Sequence, residues 1–258
     1  MIPINPDRAV AARDYVKLGS RILVTSVFST IQGEGPYAGY PAMFLRLSGC
    51  NYGAKDTHCQ FCDTSFEYAK GTLYTPLQLI DLMLHTEGYS KKQILVISGG
   101  EPTLQKNLLK LIVHAELHFE HIQLETNGTQ PHFYLEAERM GCTYIFSSVV
   151  SPKAGPLKYT KLPAKCLWWA TCLKFVVSAD AQNPHHEVPE WAFEANKPIY
   201  VSPMAVYNKS YEGEISSIWE PGLIDLEATA ANYRYAAAYA MKHHLRLSLQ
   251  THLFTGIP

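Results

Sequence analysis

Short apolar runs alternate with longer stretches whose apolar residues recur every three or four positions, and this rhythm organises most of the chain. "AMFLRL" (42–47), "ILVI" (94–97), "HIQLE" (121–125), "YIFSSVV" (144–150), "CLKFVVS" (172–178) and "IYVS" (199–202) read as strands, with "LRLSLQ" (245–250) a last one. "TPLQLIDLMLH" (75–85) predicts a helix, with Thr75 as N-cap, Pro76 as first residue, and Leu77, Ile80 and Leu84 on one face. "LQKNLLKLIVHA" (104–115) predicts another that turns Leu104, Leu108, Leu111, Ile112 and Ala115 inward; Tyr233 to His244 predicts the last. Strands alternating with helices pair in parallel through right-handed crossovers. About six such units imply an α/β fold, an open or partial barrel of parallel strands. Residues 1–258 are expected to form a single domain, with "AGPLKYTKLPAKCLWWA" (154–170) as an insertion or lid because it fits no crossover cleanly.

Composition narrows the class. Of 258 residues, 22 are basic and 23 acidic, which gives no electrostatic footprint for nucleic acid or a membrane surface. No apolar run reaches the length of a membrane span, and "MIPINPDRAVAARDYVKLGS" lacks the apolar centre of a signal peptide. A cytoplasmic location is therefore expected, where six cysteines suggest metal or redox chemistry before disulfides. The sequons at Asn127 and Asn208 are then chance matches.

"CNYGAKDTHCQFCDT" (50–64) carries three of those cysteines, Cys50, Cys59 and Cys62, with no fourth nearby. They could hold a structural zinc with His58, although such sites usually gather two ligand pairs. They could pack as small apolar groups, although the loop is polar. They could also hold a [4Fe–4S] cluster, three thiolates leaving one iron open to a small molecule. "SGGEP" (98–102) follows a strand directly. Its glycines allow a close backbone approach or a turn, and Glu101 suits an ammonium group. Arg46 is a charge in an otherwise apolar strand, either a surface ion pair or a fork for a carboxylate. These segments, with "ETNG" (125–128), fall where strands end, the edge at which α/β folds gather function.

The three-cysteine loop followed one strand later by Gly-Gly-Glu-Pro resembles the radical S-adenosylmethionine (SAM) enzymes, although the cysteine spacing of x8 then x2 departs from their usual x3 then x2. "TIQGEG" (30–35), "FLRLSGC" (44–50), "CDT" (62–64), "ETNGT" (125–129), "SPK" (151–153) and "QTHLFTGIP" (250–258) together are similar to the 7-carboxy-7-deazaguanine synthases, over residues from about 24 onward. The resemblance implies conversion of 6-carboxy-5,6,7,8-tetrahydropterin to 7-carboxy-7-deazaguanine with loss of ammonia, a lyase step towards queuosine and related deazapurines. It implies a [4Fe–4S] cluster on Cys50, Cys59 and Cys62, and Mg2+ on Thr64. Substrate would meet Ile31, Gln32, Gly33, Glu34, Arg46, Ser98 and Pro258. SAM would meet Phe61, Cys62, Asp63, Gly100, Glu101, Ser151, Pro152 and Lys153. Ser202, Pro203, Met204 and Ala205 are carried over weakly, because Ser202 and Ala205 replace the polar ends of the usual Gln-Pro-Met-Asp. A homodimer and an electron donor such as flavodoxin or ferredoxin are also implied. The rivals are a glycyl-radical-enzyme activase and a non-catalytic zinc or iron–sulfur protein.

His114 and His118, His185 and His186, and His243 and His244 are expected on solvated helix faces. Cys142, Cys166 and Cys172 are expected to pack as small apolar groups.

Overall fold

A computed structural model describes residues 19–52, 59, 71–155, 158–207 and 224–255. Nine strands make one sheet: β1 (Ile22–Ile31), β2 (Pro41–Leu47), β3 (Thr72–Tyr74), β4 (Ile94–Gly99), β5 (His121–Thr126), β6 (Ser147–Val150), β7 (Cys172–Val177), β8 (Ile199–Pro203) and β9 (Arg246–Leu247). Their order is β3-β1-β2-β4-β5-β6-β7-β8-β9, a sheet that does not close on itself. From β2 to β9 all neighbours run parallel, whereas β1 pairs antiparallel with both β2 and β3. The expected parallel units are all present, and β1 and β3 extend them at one edge. β9 is only two residues long, shorter than the run 245–250 suggested, and a short helix, α7 (Thr251–Thr255), follows it.

The helices lie along one face of this sheet, and two apolar layers fill the space between. Leu45, Leu47, Leu95, Ile97, Ile122 and Leu124 pack against α1 (Pro76–Leu84), α2 (Leu108–Ala115) and α3 (Pro131–Arg139). Leu173, Phe175, Val177 and Val201 pack against α5 (Glu190–Glu194) and α6 (Leu226–His243). Each large side chain buried this way contributes about 1.5–3 kcal/mol. Thr75 caps α1 as expected: its hydroxyl accepts the Gln78 N–H while Gln78 Oε1 accepts the Thr75 N–H. The buried stripe of α1, however, is Leu79, Ile80 and Met83, and Leu77 is exposed. Most of the helix is apolar, so two stripes fit the period and the sheet selects one.

Residues 164–169 form α4, the crossover between β6 and β7, with Cys166 and Trp169 in the core. Tyr159 and Leu162 are buried as well. Cys142, Cys166 and Cys172 are buried free thiols. His185 departs from expectation: it is buried in the turn after β7, and its neighbour His186 stacks on Tyr235.

Parallel register keeps one face of the sheet in line from strand to strand, and the face away from the helices has its own polarity gradient. At its base Ala42, Ile94 and Val96 are buried under Tyr37, whose ring lies tilted against His121 with centroids 4.7 Å apart. Towards the C-terminal ends the same face carries Arg46, Ser98 and Glu125, and Lys174 stands on it in the first half of β7. A closed apolar floor with a polar rim is the form of a binding cleft.

Candidate active site

The cleft opens at this rim. Cys50 follows β2 through Gly49, which takes a positive φ of 84°. Its Sγ accepts the Tyr52 N–H at 3.4 Å. Cys59 lines the same cleft, its thiol pushed up by burial and drawn back by the charge of Lys153. Two soft sulfur donors facing one cleft suit an iron–sulfur cluster. Phe61, Cys62, Asp63, Thr64 and Pro258 lie outside the described residues.

The double glycine has a structural cause. A Cβ on Gly99 would lie 2.3 Å from the Leu47 carbonyl oxygen, and one on Gly100 would lie 1.9 Å from that of Gly49. The end of β4 thus crosses the end of β2 at backbone contact, where Gly100 N–H donates to Leu47 O and Glu101 N–H to Gly49 O, both at 2.9 Å. Gly100 faces the cleft; Glu101 does not. Its carboxylate is fully buried behind the wall. Oε1 accepts from the Thr103 N–H and hydroxyl and from Thr126 Oγ1 at 2.6 Å, while Oε2 accepts from Asn127 N–H at 2.6 Å. These four bonds tie the carboxylate to the protein; Oε2, which accepts only one of them, keeps a lone pair.

Ser151 and Lys153 line the cleft, joined by a 2.9 Å hydrogen bond from Lys153 Nζ to Ser151 Oγ, whereas Pro152 does not. Ser202, Pro203, Met204 and Ala205 are buried and absent from its wall. Ser202 pairs in register with Val176, which does line it, and the Ser202 Oγ has no hydrogen-bond partner among the described residues.

Ile31, Gln32, Glu34, Arg46 and Ser98 line the same cleft. Gly33 instead holds α7, its carbonyl accepting from Thr251 N–H at 3.3 Å and Oγ1 at 3.2 Å. The Arg46 guanidinium lies 4.8 Å over the Phe28 ring and makes no ion pair among the described residues. Two residues join this group that sequence reasoning passed over. Glu125 accepts from Gln32 Nε2 at 3.0 Å, Gln123 Nε2 at 3.1 Å and Ser98 Oγ at 2.8 Å. Lys174 forms a mostly buried ion pair with Glu34. The signal that singled out Arg46, a lone charge in an apolar strand, was equally present at Lys174.

Comparison with known proteins agrees with this geometry. Residues 45–161 match the model of the radical SAM superfamily. The 7-carboxy-7-deazaguanine synthase of Rickettsia prowazekii is 33% identical over 98% of this chain and 94% of its own. That of Hyperthermus butylicus is 30% identical over 96% and 98%. The crystal structure of QueE from Escherichia coli superposes with a TM-score of 0.58 at 20% identity, covering 93% of this chain and 98% of that one, which supports the fold.

Proposed function

The chain belongs to the 7-carboxy-7-deazaguanine synthase family of radical SAM enzymes, and on that premise we propose that it converts 6-carboxy-5,6,7,8-tetrahydropterin to 7-carboxy-7-deazaguanine with loss of ammonia. The observation that carries this reading is one cleft lined by two cysteines and by an arginine that makes no ion pair among the described residues. Cys50, Cys59 and Cys62 would hold the [4Fe–4S] cluster. When bound, the cluster and SAM supply the one-electron chemistry that removes a hydrogen atom from the substrate.

The chain's own part is to bind, orient and exclude water. Arg46, flattened against Phe28, presents a planar fork to the substrate carboxylate. Gln32, Glu34 and Ser98 offer mixed donors and acceptors to the edge of a heterocycle. Glu125 sets their alignment by accepting from Gln32 and Ser98, and Lys174 balances the charge of Glu34. Gly100, Ser151 and Lys153 would face SAM, with Glu101 bracing them from behind. Mg2+ would sit on Thr64 with oxygens of the substrate, since the ion prefers several oxygen ligands. A single domain, a homodimer, a flavodoxin or ferredoxin donor and a cytoplasmic location complete the proposal. No helix among the described residues is long and apolar enough to cross a membrane.

The test is to rebuild the protein anaerobically, add reductant, SAM and the carboxypterin, and look for the deazaguanine acid by mass. Product is expected. A protein that binds cluster and cleaves SAM yet makes no product would sink the substrate assignment. Replacing Arg46 with Gln should raise KM for the pterin about 10- to 100-fold, the size of a lost charged hydrogen bond, with iron content unchanged.

A further inference from the structure

Cys50 is gripped from both sides by loops that meet only in the fold. On its N-terminal side, Gly49 O accepts the Glu101 N–H at 2.9 Å. On its C-terminal side, Asn51 enters a closed ring of side-chain hydrogen bonds. Asn127 Nδ2 donates to Asn51 Oδ1 at 2.8 Å, Asn51 Nδ2 to Thr129 Oγ1 at 2.8 Å, and Thr129 Oγ1 back to Asn127 Oδ1 at 2.6 Å. Each side chain gives once and accepts once around the ring, so removing any member breaks two of its three bonds. The ring has a rigid base: Asn127 is buried, and its N–H is fixed on the buried Glu101 carboxylate. Asn51, by contrast, is exposed and has little packing to hold it.

We infer that Asn51, Asn127 and Thr129 are positioning residues, a ring that sets the direction of the Cys50 thiol before any metal arrives. The inference rests on the reading of Cys50 as a cluster ligand. The physical reason is preorganisation: a ligand ordered during folding adds no ordering cost when the cluster binds. Of its three members, Asn127 also lines the cleft. The ring acts through one peptide unit, from Asn51 to Cys50.

Thr129→Val keeps the shape and removes the hydroxyl, whereas Thr129→Ser keeps the hydroxyl. In the reconstituted full chain, iron loss to a chelator should be about tenfold faster in Thr129→Val, the size of one lost hydrogen bond, and near the unaltered rate in Thr129→Ser. Asn51→Ala, at an exposed position, should lose iron at least as fast as Thr129→Val, and the double variant should be no worse than Asn51→Ala alone, because that change already cuts Asn51 from the ring. The urea midpoint of the metal-free protein should move little in all of them. Unaltered iron retention in both Asn51→Ala and Thr129→Val overturns the inference, as do additive losses. So does iron loss that only follows a fall in metal-free stability. If the unaltered protein assembles no cluster, the reading of Cys50 fails first and takes the ring's role with it.

Discussion

Glu101 shows how far one side chain's role depends on its direction. Placed after a strand and two glycines, it reads as a group offered to a ligand; in the fold it turns away and gathers four donated hydrogen bonds. Burial pushes its carboxyl above the ordinary range, the donors opposing this only in part. A raised carboxyl holds its proton more firmly folded than unfolded. The stability linked to it is therefore fully present below the ordinary carboxylate range and is lost as pH rises through the raised value. Urea unfolding of the Glu101→Gln variant, followed across that window, should lack this slope. It should also show a loss of about 1–3 kcal/mol, because an amide N–H2 would face donors. Arg46 was legible because a charge amid apolar residues stands out in a strand. Glu125 was not, because nothing local says that Gln32, Ser98 and Gln123 will converge on it.

Among elements, α1 was read closely because its start is governed by local chemistry. Thr75→Ala removes the cap and should cost about 1 kcal/mol in denaturant unfolding. Strand β1 escaped notice for a comparable local reason. The register slips between Val24 and Ser26, so the inward side changes partway and no clean alternation survives. The contact between β2 and β4 leaves no space for a side chain at Gly99 or Gly100. At Gly100 an added methyl group would fall on the Gly49 carbonyl, and Gly100→Ala should both destabilise the protein and shift Cys50. Its expected signature is a lowered urea midpoint together with iron content well below that of the unaltered protein. Normal values of both would show that the two strands separate at little cost.

At the scale of the molecule, the cleft depends on long connections. The turn holding Gln32 to Gly35 is pinned from the far end of the chain: Thr251 bonds Gly33, and Ser248 Oγ accepts the Gly35 N–H at 2.9 Å. Glu34 is held to β7 by Lys174. Ending the chain after Gln250 should loosen this turn at Gly33, with Ser248 and Lys174 still holding it elsewhere. KM for the pterin should rise by roughly tenfold while the cysteine end keeps its iron. Iron analysis beside steady-state kinetics checks both parts. Loss of iron as well would mean that the two ends of the cleft are not independent.

What the residues alone determined is what local rules govern: strand and helix types, the α1 cap, the three-cysteine loop with Gly-Gly-Glu-Pro, and the gathering of motifs at strand ends. Which stripe of α1 faces the sheet, where Glu101 points, and that Glu125 and Lys174 join the cleft were decided only by tertiary structure. The reason is physical. Period and propensity act between near neighbours in the chain, whereas register, backbone crossing and burial act between segments that meet only after the sheet has formed.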